Sequence, residues 1–188
     1  MAEILKAKFG NHIWDDSAEE TARRLLGYYD EMSQYLEGRK PVEPGLAELP
    51  FSFTTFEAED KQMIMVANIE FASMCQHHML PIIGVAHVAY IPNQIQVGLS
   101  KIPRLVEFWS KRPQVQERLT GQIAKDLNKR LHPMGVMVVV EAQHSCLCAR
   151  GIRSHNGMMI TSLPLGVFLS NPSAREEYFN LLNRSERH

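Results

Sequence analysis

Apolar positions change period twice along this chain. In the first forty residues Leu25, Tyr28, Tyr29, Met32 and Leu36 recur at helical spacing, Asp15-Asp16-Ser17 offers an N-cap, and Glu19-Glu20 sit in the first turn. Gly38 and Pro41 stop the pattern, and residues 40–50, with three prolines and a glycine, read as a connector. From Gln62 to Phe71 the period is two: Met63, Met65, Ala67, Ile69 and Phe71 fall on one face, as in a half-buried strand. Residues 85–91 and 94–99 predict two more strands, split by Pro92-Asn93. A helical block follows. Ile102, Leu105, Val106 and Trp109 suit a short helix, and Pro113 suits the first turn of a longer one. In that longer helix Val115, Leu119, Ile123, Leu127 and Leu131 repeat every four residues, an apolar stripe for packing on a sheet. Residues 136–149 and 158–168 read as strands and 174–182 as a last helix. Helices, strands, helices and strands with short links predict an α+β domain with an antiparallel sheet and helices on one face. The connector sets the one boundary, between a helical extension with its linker over 1–50 and the main domain over 51–188.

Composition narrows the class. A chain of 188 residues, 45% hydrophobic and 22% charged, has material for one globular core and excludes disordered, collagenous and low-complexity proteins. Twenty Lys+Arg against 21 Asp+Glu give a net charge of −1, which argues against a general nucleic-acid or polyanionic-membrane binder. The strongest apolar run, Val136-Met137-Val138-Val139-Val140, falls far short of the ~18–20 residues of a membrane span. The segment from Met1 to Lys6 carries an early acid and no signal-type apolar stretch. Three cysteines, Cys75, Cys146 and Cys148, do not make a disulfide framework; a reduced, cytoplasmic setting is expected, with the thiols free for metal or for burial.

Cys75-Gln76-His77-His78 is the densest cluster of metal-capable side chains. A thiolate and an imidazole spaced as Cys75-x-x-His78 can share one ion across a turn. A partner lies in His144-Ser145-Cys146-Leu147-Cys148-Ala149-Arg150, where a strand would turn His144, Cys146, Cys148 and Arg150 to one face. Two thiolates and one imidazole suit zinc, and three protein ligands plus water is the catalytic pattern, in which zinc polarises a carbonyl-like group and acidifies water. Cys148 fits either a fourth, site-closing ligand or packing, and free cysteines are in any case often simply buried. Gly98-Leu99-Ser100-Lys101-Ile102-Pro103-Arg104 ends a strand with a hydroxyl and two cations at a helix start, groups that a phosphate takes. An ordinary solvated helix face explains the same residues. Gln116-Glu117 is unremarkable in a helix, yet a carboxylate there could accept both N–H donors on the Watson–Crick edge of guanine.

Taken together, Ser73-Met74-Cys75-Gln76-His77-His78-Met79-Leu80-Pro81, His87-Val88-Ala89-Tyr90-Ile91-Pro92, Val97-Gly98-Leu99-Ser100-Lys101-Ile102-Pro103-Arg104, Arg112-Pro113-Gln114-Val115-Gln116-Glu117-Arg118-Leu119-Thr120 and His144-Ser145-Cys146 with Arg150-Gly151-Ile152 closely resemble GTP cyclohydrolase I. The resemblance runs in order from about Phe71 to Phe168, and Glu20-Thr21-Ala22-Arg23-Arg24 is a looser version of the family's first helix. It implies the tunnelling fold, an antiparallel sheet backed by two helices, in a toroidal homodecamer with active sites between subunits. It implies hydrolysis of the GTP imidazole ring at C8, release of formate, and rearrangement to 7,8-dihydroneopterin triphosphate. By this similarity Cys75, His78 and Cys146 hold zinc with water in the open position. His77 shuttles protons at the imidazole ring, and His144 protonates the ribose ring oxygen. Gln116 and Glu117 hold the guanine. Ser100, Lys101, Arg104 and Arg150 hold the triphosphate and ribose, and Arg24 reaches in from a neighbouring subunit.

The chain departs from the family pattern in two places. Gln76 stands where the family usually has a glutamate, keeping hydrogen bonding without the charge. After Arg153, a segment commonly rich in Ser and Thr reads Ser154-His155-Asn156-Gly157-Met158-Met159-Ile160 before Thr161-Ser162. Two other readings follow: an enzyme of this fold that opens GTP to a different or incomplete product, and a catalytically silent GTP-binding decamer.

Overall fold

The computed structural model describes residues 1–10, 17–35, 43–45 and 47–185. Two helices open the chain, α1 (Ala2–Phe9) and α2 (Ala18–Ser33). Ser17 is the N-cap of α2, its hydroxyl accepting the Glu20 N–H at 3.1 Å, while Asp15, Asp16, Leu36, Gly38 and Pro41 lie outside the described residues. Strands β1 (Thr55–Glu57), β2 (Ile64–Cys75), β3 (Pro81–Ile91) and β4 (Ile95–Val97) lead into α3 (Lys101–Ser110). Then come β5 (Pro113–Gln114), α4 (Gln116–Leu131), β6 (Gly135–His144), α5 (Ser145–Cys148), β7 (Met158–Gly166), α6 (Val167–Ser170) and α7 (Pro172–Ser185). The main sheet has the order β5-β2-β3-β6-β7, antiparallel except for the short parallel β2–β5 pair, and a two-stranded ribbon joins β1 to β4. The long antiparallel strands backed by α3 and α4 are the sheet-and-helix arrangement of the tunnelling fold.

The core lies between the sheet and these two helices. The every-fourth stripe of α4 is buried as its spacing requires, with Leu119, Ile123, Leu127 and Leu131 packed against Ala86, Val88, Val136, Val138 and Val140. The expectation of helices on one face needs correction. Residues 136–140 are apolar without alternation, so β6 needs cover on both sides. Ala89, Met137 and Val139 face away from α4 and pack against Phe168, Ala174, Tyr178 and Leu182 of α6 and α7.

The single alternation read for residues 62–71 is also corrected. The β2–β3 register shifts between Val66 and Ile69, with Asn68 at φ 54°. Met63, Met65 and Ala67 therefore face α7, whereas Ile69 and Phe71 face α3 and α4. Of residues 94–99, Ile95–Val97 form β4, which pairs antiparallel with β1. One further expectation changes. Pro113 is not in a helix but in β5, whose register sets Gln114 beside Cys75. The Gln76 N–H completes that clip on the Gln114 carbonyl at 2.9 Å.

Strands β3 and β6 approach closely at Gly84, where an added Cβ would lie 2.1 Å from the Glu141 carbonyl oxygen and 2.6 Å from the Ala142 Cα. Both obstacles are backbone, so neither can rotate away. Gly84→Ala is expected to lower stability by about 1–3 kcal/mol, read as a fall in the denaturation midpoint. An unchanged midpoint would show that the two strands part without cost.

Candidate metal and nucleotide site

The β2–β3 connection is a short loop closed on itself. The Cys75 N–H donates to the Leu80 carbonyl and the Met79 N–H to the Cys75 carbonyl, both at 2.8 Å, with Met79 at φ 56°. This winding lifts His77 and His78 to the surface above the buried Cys75. Strand β6 reaches the same end of the sheet, with His144 opposite Ile82, and α5 follows at once. That helical turn corrects the extended reading of residues 144–150. On a strand Cys146 and Cys148 would share a face; on a helix residues two apart diverge. Cys146 Sγ points to Cys75 Sγ at 3.8 Å, while Cys148 lies outside the donor group.

Cys75, His78 and Cys146 are the one group of three or more His, Cys, Asp or Glu donors among the described residues, their donor atoms all within 4.8 Å of one another. Cys75 Sγ lies 3.9 Å from His78 Nδ1. Tetrahedral zinc with ~2.3 Å bonds to sulfur and ~2.05 Å bonds to nitrogen sets the sulfurs about 3.8 Å apart and sulfur from nitrogen about 3.6 Å. The donor set thus fits a zinc-sized ion. His77 Nδ1 is also 3.9 Å from Cys75 Sγ, but its Nε2 is engaged at 3.2 Å by the Gln76 amide. Burial pushes the Cys146 thiol pKa up, the adjacent Cys75 adds to the rise, and Arg150 opposes it weakly. A cation binding both sulfurs removes that penalty on the thiolate.

Because β5 is clipped beside Cys75, the start of α4 comes to the same place. Glu117 is exposed in its first turn and near enough to raise the His144 pKa, although burial is the larger effect and lowers it. Gln116, in contrast, is only 1% exposed. Its amide nitrogen reaches the Val140 and Met159 carbonyls at 2.9 and 2.8 Å, and its amide oxygen lies 2.8 Å from His144 Nε2. Thr161 and Thr120 complete this buried polar cluster, their hydroxyls 2.7 Å apart. Neither threonine was singled out by the sequence reading, although Gln116 and Thr120, four apart on the flank of an apolar stripe, form a polar pair on a face that packs.

One chain therefore gathers Cys75, His77, His78, Gln116, Glu117, His144, Cys146 and Arg150. It does not gather the rest. Helix α3 runs from the Tyr90 end of the sheet, where the Tyr90 hydroxyl accepts the Val97 N–H, to the Cys75 end, where Ser73 Oγ donates to the Ser110 carbonyl. Ten residues of helix span roughly 15 Å, which puts Ser100 and Lys101 at the end of α3 opposite Ser110, with Arg104 one turn further in. Arg104 lies beside Phe51, 6.0 Å from the ring centre, and contributes to a cleft of about 310 Å³ between α3 and β2. Arg24, on α2, is 3.7 Å from Glu20 one turn before it.

Comparison with known proteins gives concordant matches. The profile of the GTP cyclohydrolase I family matches residues 1–183. A Campylobacter jejuni protein named GTP cyclohydrolase 1 is 51% identical over 132 residues, covering 70% of each chain. Proteins of the same name from Porphyromonas gingivalis and Desulforamulus reducens are 41% identical over 187 residues and 43% identical over 173. The first covers 88% of this chain and 96% of its own, the second 90% and 87%. Among solved structures, apo archaeosine synthase QueF-Like overlaps 57% of this chain and 97% of that one with TM-score 0.47 at 14% identity, too distant to carry an argument. Among the described residues no helix is long and apolar enough to cross a membrane.

Proposed function

The chain belongs to the GTP cyclohydrolase I family, and from that premise we propose that it opens the imidazole ring of GTP at C8, releases formate and forms 7,8-dihydroneopterin triphosphate. The observation that carries this reading is the juxtaposition of the Cys75–His78–Cys146 donors with Glu117 and His144 at one end of the sheet. When bound by Cys75, His78 and Cys146, zinc supplies an electrophile and acidified water for hydrolysis at neutral pH. Glu117 accepts the paired N–H donors of guanine from the exposed first turn of α4, which holds the purine beside the sulfurs. Main-chain N–H groups at the start of that helix, Gln116 among them, have no acceptor within the helix and suit the purine's carbonyl oxygen.

His77, exposed and held by the Gln76 amide, moves protons at the imidazole ring nitrogens. His144, whose half-buried ring favours the neutral form, takes and returns protons at the ribose. Ser100, Lys101 and Arg104 bind the triphosphate, joined by Arg150, with Arg24 approaching from a neighbour. Ser100 and Lys101 open α3 at the end opposite Ser110, which packs at the Cys75 end of the sheet, so a second copy of the chain supplying these cations would complete each site. Among the described residues β5 covers only Met74 and Cys75 of β2, so the rest of that strand and β7 present edges that suit sheets joined into a closed ring, the homodecamer of the family, in the cytoplasm.

The test is incubation of zinc-loaded protein with GTP, following pterin absorbance, formate and product mass in one sample. Pterin triphosphate with formate, abolished by a chelator, is the expected result. Formate without pterin would mean that the chemistry stops at ring opening, and the altered segment after Arg153 would be the first place to look. Neither product, with GTP bound, would leave a silent binding protein.

A further inference from the structure

We infer that Gln116 is a positioning residue that fixes which nitrogen of His144 carries the proton, and is not a side-chain contact to the purine. The inference deepens the role given above to His144 and rests on that reading for its kinetic consequences. The two ends of a glutamine amide are told apart by their partners. Here the nitrogen end is unambiguous, because it lies 2.9 Å from the Val140 carbonyl and 2.8 Å from the Met159 carbonyl, two groups that only accept. The oxygen end must then face His144 Nε2, at 2.8 Å. An amide oxygen only accepts, so Nε2 carries the hydrogen and the neutral ring presents its lone pair at Nδ1.

The surrounding hydroxyls are ordered in one direction. Thr120 Oγ1 donates to the Gln116 carbonyl at 2.9 Å, which spends its proton. The Thr161 hydroxyl therefore donates to Thr120 Oγ1, and its oxygen lies 3.2 Å from Gln116 Nε2, whose two hydrogens already serve the Val140 and Met159 carbonyls. Every polar atom of the Gln116 side chain is thereby used inside the subunit, between α4, β6 and β7. Of the Gln116-Glu117 pair, only Glu117 keeps a side chain for the base. His144 in turn exchanges protons with substrate through Nδ1 alone, at a ring angle set by an anchor on two strands.

Kinetics and ¹⁵N spectra test this together. In zinc-loaded Gln116→Met, kcat for pterin formation is expected to fall about 10–100-fold with KM for GTP within about twofold of wild type. The double variant Gln116→Met/His144→Ala is expected to be no slower than His144→Ala alone, since the glutamine acts through the imidazole. A KM raised about tenfold with kcat retained, or effects that multiply in the double variant, would overturn the inference and return Gln116 to the purine. The second arm does not depend on activity. ¹⁵N-histidine spectra of the wild-type protein, with His144 assigned by its loss in His144→Gln, should show the proton on Nε2; a proton on Nδ1 overturns the inference. Wild-type protein that makes neither formate nor pterin would sink the functional reading, while the spectrum still decides the tautomer.

Discussion

Cys146→Ala is expected to strip the protein of its metal and, with it, of ring-opening activity, whereas Cys148→Ala keeps about one equivalent of zinc. The two cysteines are two residues apart on a single helical turn, yet only Cys146 lies within the donor group, 3.8 Å from the sulfur of Cys75. Removing it leaves one sulfur and one imidazole, too few for a tetrahedral site that also keeps a position open for chemistry. The loss of affinity should exceed the ~10–100-fold that follows removal of a group that merely orients a ligand. Metal analysis beside formate release in both variants checks this. Zinc retained without Cys146 and lost without Cys148 would reverse the ligand assignment.

The largest stability effect is expected from Asp126→Ala. Asp126 is fully buried, yet it is a carboxylate, and everything about its surroundings accommodates that charge. The Trp109 indole N–H donates to it at 2.8 Å from α3, and Arg130, one turn further along α4, donates through Nε. The same guanidinium donates to the Ala47 carbonyl at 2.7 Å and lies 5.4 Å from the Phe53 ring centre, so a single carboxylate organises two helices and the segment leading into β1. Alanine would leave a buried indole N–H without its acceptor and a guanidinium only 17% exposed without its counter-ion. Breaking such a pair costs about 3–5 kcal/mol. For a chain of this size the thermal midpoint should fall by roughly 10 °C or more. Asp126→Asn, which keeps an acceptor for Trp109, should fall less. A midpoint within about 2 °C of wild type for the alanine variant would show that solvent or a rearranged Arg130 replaces the carboxylate.

What the sequence revealed and what it hid follow from how far each determinant reaches. The α4 stripe was legible because Leu119, Ile123, Leu127 and Leu131 encode their face locally, one residue per turn. The donors Cys75, His78 and Cys146 were legible as chemistry, because thiolate and imidazole side chains in two short segments narrow the ion before any geometry is known. The geometry between them was not. Reading residues 144–150 as a strand aligned Cys146 with Cys148, and only the turn of helix after His144 separates them. Pro113 carried an ordinary helix-start signal that was overridden by a two-residue parallel pairing with β2, too short to leave any periodic trace. Gln116 was the least legible, since what it binds is largely backbone: the Val140 and Met159 carbonyls stand 24 and 43 positions away and would be there whatever the side chains. The cover on the second face of β6 was foreshadowed by residues 136–140 themselves, which are apolar at odd and even positions alike.

The bulge at Asn68 gives one strand two addresses. Before it, Met63, Met65 and Ala67 answer to α7; after it, Ile69 and Phe71 answer to α3 and α4. A run of odd-numbered hydrophobes that looks like one inherited pattern is two, spliced by a single inserted position. Each half of β2 can then drift in sequence to suit its own neighbour without dragging the other along. The length of chain between Val66 and Ile69 is fixed: losing one residue there would swap inside for outside over the half that ends at Cys75, and turn that sulfur away from His78 and Cys146.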